Sequence, residues 1–249
     1  SKRPLNNACR REENVKVWLK VGIVDGNSMQ ISRKGTPQGN IISPLLCNVY
    51  LHYVLDVWLD KTVRPLLKGE IFMVRYADDF IIGFENEEDA ARVYKTLPKR
   101  MQKYGLTIHP EKSKLIEFTP KREGKSGTFD FLGFTHYWAK SQRGYWVVKR
   151  KTSCKKMRAV LKDFQDTCRI HKHEKLKTQA KLLSSKLRGR YRYYGIRGNF
   201  IAINRMYQKC VCAWFKWLNR RSQRNSYTWQ GFWELLKYFK LPRPRIIHY

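Results

Sequence analysis

The chain has 249 residues, 51 of them Lys or Arg against 20 Asp or Glu, which gives a formal net charge of +31. At 42 % hydrophobic and 14 % aromatic it has the apolar mass for a buried core, which excludes a disordered basic tail. No stretch approaches the ~20 consecutive apolar residues of a membrane-spanning helix, and the opening SKRPLNNACRREENVK is polar and basic, unlike a secretory segment.

Residues 12–22 (EENVKVWLKVG) predict a helix end closed by Gly22. Asp25-Gly26 then turns the chain into a short strand over Ser28–Arg33. The Gly- and Pro-containing stretch KGTPQGNIIS passes at Pro44 into a long helical pattern, with Leu45, Val49, Leu55, Trp58 and Leu59 on one side. Pro44 suits the first turn of that helix and Ser43 its N-cap. Two short strands flank a polar centre in Phe72–Phe84, FMVRYADDFIIGF. Glu87–Tyr104 predicts an amphipathic helix on Ala91, Tyr94, Leu97, Met101 and Tyr104, kinked or broken at Pro98 and stopped by Gly105. LTIHPEKSKLIEF predicts a strand pair, and FDFLGFTHYWAK with GYWVVKR a hairpin.

Beyond residue 150 the pattern becomes helical throughout. Cys154–Cys168 carries Met157, Val160, Leu161, Phe164 and Cys168 at helical spacing, and Glu174–Tyr194 carries Leu176, Ala180, Leu183, Leu187 and Tyr191. Asn199–Leu218 follows with Phe200, Ile203, Met206, Cys210, Trp214 and Trp217, then Thr228–Phe239, ended by Pro242 and Pro244. The charge shifts at the same place: residues 1–140 hold 23 basic and 16 acidic side chains, residues 141–249 hold 28 and 4. So few acids cannot interleave with the cations as on an ordinary solvated face, so a polyanionic partner, nucleic acid above all, is expected. The fold class is therefore α+β: an antiparallel sheet with packed helices over 1–150, then an all-α bundle over 151–249. The six cysteines form no CxxC pair and no zinc spacing, which points to reduced thiols.

Asp78-Asp79 sits between Phe72-Met73-Val74 and Phe80-Ile81-Ile82, where two adjacent like charges are costly unless a cation or donors compensate. Two alternatives share one geometry. One is a plain hairpin turn, in which Asp is common. The other is a turn that presents two carboxylates to Mg²⁺, whose oxygen ligands and retained waters they suit.

YADD (Tyr76–Asp79), preceded by GTPQGNIISPLL (Gly35–Leu46), resembles the palm of a reverse transcriptase of the kind encoded by group II introns. GLTIHPEKSKLIEF and FDFLGF follow in the family's order, and LRGRYRYYGIRGN, WFKWLNRRSQR and LPRPR are similar to its maturase thumb. The resemblance implies a partial palm over 1–150 and a thumb, the maturase-specific helical part, over 151–249. It gives Asp78 and Asp79 the role of catalytic carboxylates holding two Mg²⁺ ions. Tyr76 would lie beneath the turn beside the primer end, and Gly35, Thr36, Pro37, Gln38 and Gly39, with Tyr76 and Ala77, would bind the incoming dNTP and the template. Asn40 stands where the family commonly has a second Gly. Lys114 or Lys112 would assist the departing pyrophosphate, with a surface ion pair to Glu111 or Glu117 as the alternative. FDFLGF would grip the primer strand.

In the second half, Arg188, Arg190, Arg192, Arg197, Arg220, Arg221 and Arg224 interleave with aromatic residues and are expected to bind RNA through forked phosphate contacts and stacking. Trp214 and Trp217 read as core, and the tyrosines beside Arg190 as candidates for contact. The implied partners are intron RNA and an RNA template/DNA primer hybrid, with no membrane, in a bacterial cytoplasm. The resemblance also implies a third carboxylate upstream of Gly35, where this chain offers only Glu12, Glu13 and Asp25 outside any apolar strand. The sequence is accordingly expected to be the C-terminal part of a longer enzyme, unable to polymerise by itself. A non-catalytic RNA-binding maturase is the alternative function.

Overall fold

The computed structural model describes residues 23–25, 28–30, 42–120, 126–222 and 226–248. The chain divides into two compact units, Ser1–Leu115 and Ile116–Tyr249. The helix end predicted over 12–22 and the segment 31–41 lie outside the described residues.

In the first unit, β1 (Ile23–Asp25) pairs antiparallel with β2 (Ser28–Gln30), Asp25 opposite Ser28. Helix α1 (Ser43–Leu51) has Pro in its first turn. Ser43 is not its N-cap; Ile42 holds that position without a side-chain cap bond. The helical path continues through two π turns, His52–Asp56 and Leu59–Val63, and a 3-10 turn, Arg64–Leu66. A π turn closes i→i+5 bonds, so a stripe at α spacing slips around the helix. The buried side chains are Leu51, Val54, Leu55, Leu59 and Val63, while Leu45 and Val49, predicted on that face, are exposed: they lie roughly 120–160° around the regular helix from Leu51.

Strands β3 (Ile71–Tyr76) and β4 (Asp79–Phe84) form an antiparallel hairpin with Ile71 opposite Phe84 and Tyr76 opposite Asp79. Its alternation buries Ile71 and turns Met73, Phe80, Ile82 and Phe84 onto Val54, Leu55, Leu59 and Val63. The same core takes Val93, Leu97 and Met101 of α2 (Glu87–Lys103). Three acids in the first turn of α2 complement its dipole. The helix is one element with Pro98 inside it, not broken there. Its buried stripe runs Ala90, Val93, Leu97, Met101, one residue away from the predicted Ala91 and Tyr94. The cause is Asp89, buried because its Oδ2 accepts from Lys68 N (2.8 Å) and Gly69 N (3.1 Å). Tyr94 is left at the surface, where its hydroxyl donates to Ser113 O. Gly105 (φ +69°) ends the helix, and Leu106 N–H returns to Met101 O in a Schellman pattern. The strand pair predicted in LTIHPEKSKLIEF is absent: residues 106–120 form no strand, and Lys112 N and Ser113 N fold back on His109 O instead.

The second unit holds a three-stranded antiparallel sheet, β5 (Phe129–Phe131), β6 (Phe134–Lys140) and β7 (Trp146–Thr152), where a single hairpin was expected. The β5–β6 turn, Leu132-Gly133, has positive φ at both residues, 49° and 79°, the pattern of a type I′ turn. Four helices follow: α3 (Cys154–Ile170), α4 (Leu176–Tyr194), α5 (Phe200–Leu218) and α6 (Trp229–Phe239). Ser153 and Thr228 cap α3 and α6, accepting from Lys156 N and Gly231 N. Val160, Phe164, Leu183, Leu187, Ile203, Met206, Cys210 and Trp214 form the core that the helical spacing predicts, joined by Leu218 and Phe232. Phe200, placed in that stripe by spacing, is exposed at the start of α5.

The sheet is bonded to this bundle. Buried Asn199 accepts from Thr152 N (2.9 Å) and donates to Thr152 Oγ1 and Tyr194 O (2.8 Å each). A strap over Leu241–His248 closes the far end: Tyr191 donates to Pro242 O, Ile247 N and His248 N donate to Gly195 O, and Arg197 N donates to His248 O. A Cβ on Gly195 would lie 2.3 Å from Tyr191 O and 2.9 Å from Arg245 O, so only Gly fits beneath the strap. No described helix is long and apolar enough to cross a membrane.

Candidate catalytic turn and nucleic-acid surface

The two carboxylates sit at the tip of the β3–β4 hairpin. The turn is Ala77-Asp78, with Ala77 at φ +54°, a conformation rare for a residue with a Cβ and one that tends to occur where function requires it. Asp79 opens β4 directly opposite Tyr76, so the two side chains share the hairpin's outer face with Phe72 and Val74. Tyr76 is 67 % exposed, and Asp78 and Asp79 are both exposed. Neither carboxylate makes a hydrogen bond or ion pair with another described residue.

The inner face of the same hairpin carries one charge, Arg75, which sequence reasoning passed over. Its side chain is 13 % exposed and forks onto Asp56, with Nε to Oδ1 at 2.9 Å and Nη2 to Oδ2 at 2.7 Å. Nη1 reaches Asn48 Oδ1 (2.8 Å) and the carbonyl of Ala77 (3.1 Å). The bond to Asp56 outweighs burial and raises the guanidinium's pKa further, so it is a permanent cation. A signal existed: Arg75 falls on the core register of IFMVRY, where charge needs a partner.

Among the described residues no three His, Cys, Asp or Glu side chains converge as a metal site. Two unpaired carboxylates on one turn nonetheless fit a hard cation such as Mg²⁺, which accepts oxygen donors and keeps waters in its remaining positions. Lys114 is exposed in the segment after α2, and no ion pair to Glu111 or Glu117 engages it. Gly35, Thr36, Pro37, Gln38 and Gly39 lie outside the described residues, as does Arg224.

The structure separates the arginines of the second unit. Arg188 and Arg192 stand exposed one turn apart on α4, a helix with no acidic residue, and Lys177 and Lys181 lie on the same face. Arg197 is exposed just beyond it. Arg190, half-buried, instead shares Asp163 with Lys186, at 3.4 and 2.6 Å. Arg221 is committed to the chain itself, donating to Lys172 O (2.7 Å) and Glu174 O (3.5 Å). Arg220 lies over the half-buried Trp217 ring at 5.6 Å, with Lys216 and Lys172 at 5.8 and 6.0 Å.

The tyrosines beside Arg190 are packing residues. Tyr191 and Tyr194 are buried, which raises their pKa, and Phe134 stacks on Tyr193 while meeting Tyr194 edge-on. Tyr193 is half-exposed, yet its hydroxyl donates to Leu132 O (2.8 Å), tying the FLGF turn to α4.

A family model described as reverse transcriptase (RNA-dependent DNA polymerase) matches residues 5–136, more than half of the chain. Over 96 residues the chain is 27 % identical to the telomerase reverse transcriptase of Takifugu rubripes, a stretch that covers 36 % of this chain and 9 % of that protein. The chain thus spans a small fraction of this relative's length. With the twin-carboxylate hairpin inside the matched region, the chain belongs to the reverse transcriptase family.

Proposed function

We propose that the protein is an RNA-directed DNA polymerase and intron RNA-binding maturase of a mobile group II intron, with a palm portion over 1–150 and a thumb over 151–249. The observation that carries it is the pair Asp78 and Asp79, exposed and unpaired on a turn whose carbonyl is fixed from below. Bound Mg²⁺ would supply the charge that stabilises the attacking 3′-oxygen and the leaving pyrophosphate. The chain's own part is to hold the two carboxylates on one turn, to offer the Tyr76 ring as a floor for the primer end, and to hold the duplex. Lys114 lies free to meet the pyrophosphate, and Gly35 to Gly39 take the dNTP and template in this reading. Arg188, Arg192, Arg197 and Arg220 serve as phosphate contacts, since Arg190 and Arg221 are engaged within the fold.

A second function, RNA-binding maturase without polymerisation, is favoured by the concentration of charge after residue 140. Titration of the purified chain with Mn²⁺, followed by electron paramagnetic resonance, tests the carboxylate site. Binding should be competed by Mg²⁺ and lost in Asp78→Asn, with affinity for an RNA/DNA hybrid unchanged. Equal loss of both would refute separate sites. A preference for folded group II intron RNA over an unstructured RNA of equal length tests the maturase part, and equal affinity refutes it.

A further inference from the structure

We infer that Arg75 is the positioning residue of the carboxylate turn, held by Asp56 and Asn48 so that it fixes the Ala77 carbonyl and with it the spacing of Asp78 and Asp79. The inference rests on the assignment of those two carboxylates as a cation site.

Three observations converge on it. Arg75 is the only charged side chain on the core-facing register of the hairpin, which it shares with Ile71, Met73, Phe80, Ile82 and Phe84. An apolar residue would pack there at no electrostatic cost, since a buried ion pair is often no more stable than a hydrophobic replacement. The pair therefore contributes geometry rather than stability. Its guanidinium makes four hydrogen bonds at 2.7–3.1 Å, a number that only a planar fork can satisfy at once. One of them ends on the turn itself, at the residue with positive φ.

The partners are also arranged by an irregularity of the helix. Asn48 and Asp56 are eight residues apart, and in a regular α-helix they would be offset by roughly 80° around the axis. The π turn His52–Asp56 intervenes and absorbs that offset, so both side chains reach one guanidinium. Such π turns are frequent at functional sites. Adjacent carboxylates repel each other, and a two-residue turn free to flex would relieve the repulsion by spreading. The clamp opposes that from the inner face, with a cation already neutralised by Asp56 and therefore unable to occupy the carboxylates in place of a metal.

The test uses the full chain with Arg75→Lys, Arg75→Ala and Asn48→Ala, read by amide hydrogen exchange and by Mn²⁺ titration. Arg75→Lys keeps the charge and loses the fork, so it should not rescue. Exchange at residues 76–79 should quicken about fivefold to tenfold for one lost bond. The central pairs Met73 with Ile82 and Val74 with Ile81 should change by less than roughly twofold, because the opening is local. Mn²⁺ affinity should fall in Arg75→Lys and Arg75→Ala. Uniform acceleration along the hairpin, wild-type behaviour of Arg75→Lys, or faster exchange at the turn with unchanged Mn²⁺ affinity would each overturn the inference. A parent chain that binds no Mn²⁺ removes the cation site and the service of the clamp to it, whereas a parent that binds and variants that match it remove the clamp alone.

Discussion

Binding of an RNA/DNA hybrid by the second unit should depend steeply on salt, and the structure sets how steeply. Of the seven arginines expected to contact RNA, Arg190 is held by Asp163 and Arg221 by two carbonyls, which leaves Arg188, Arg192, Arg197 and Arg220 among the described residues. Lys177 and Lys181 extend the face of α4 and bring the cations assigned to phosphate contact to about six. Each phosphate neutralised contributes about −0.9 to the slope of log affinity against log salt, so the slope should be near −5. Affinity should then fall roughly 10³-fold between 50 and 200 mM. Replacing Arg188, Arg192, Arg197 and Arg220 by Gln should flatten the slope to about −2 and reduce the fall to roughly tenfold. Fluorescence anisotropy of a labelled hybrid across that salt range measures both values. As a control, Arg190→Gln with Arg221→Gln should lower thermal stability and leave the slope within about one of the parent, because neither side chain is free to release counterions. A flat response of the parent, or a quadruple variant with the parent's slope, would refute the reasoning.

Asn199→Ala should destabilise the second unit by about 1–3 kcal/mol in urea unfolding, since it leaves the buried Thr152 N–H without its partner and removes the bonds to Thr152 Oγ1 and Tyr194 O. A change below about 1 kcal/mol would show that water replaces the amide. At pH 8, Cys47, Cys154 and Cys212 should react with a thiol reagent, while Cys168, pushed up to about 12 by burial, and Cys210, raised likewise, should stay protonated and unreactive until unfolding. Mass spectrometry of the labelled peptides reads this directly. In primer extension by an enzyme that contains this chain, Asp78→Asn should remove detectable synthesis and leave hybrid affinity within about twofold of the parent; undiminished synthesis would refute the metal role of the turn.

The carboxylate hairpin was legible in the sequence because two apolar triplets flanking a polar centre admit few other conformations. Reading Asp78-Asp79 as its tip needed only the alternation of β3 and β4. The bundle core was legible for the same reason, helical spacing over long segments. What escaped were features whose partners are distant in sequence. Leu45 and Val49 read as core because they are apolar, although the regular helix turns them away from Leu51, and the α2 stripe moved by one residue because Asp89 caps a turn twenty residues earlier. Arg190 and Arg221 looked like RNA contacts, yet Asp163 and the Lys172 carbonyl claim them. Charge patterns show that cations are abundant, and only geometry shows which are unengaged. Arg75 escaped because a lone basic residue in a strand carries no information until Asp56 and Asn48 are brought beneath it.

The Leu241–His248 strap bears on how this molecule is made. Its contacts span more than fifty residues, from Tyr191 to Pro242 and from Arg192 to His248. In synthesis α4 is made well before the segment that covers its end, so the Tyr191 hydroxyl and the Gly195 carbonyl lack these partners until the strap follows. Chains truncated after Lys240 should hold their helices loosely and remain open to proteases, and chains that include the strap should be protected.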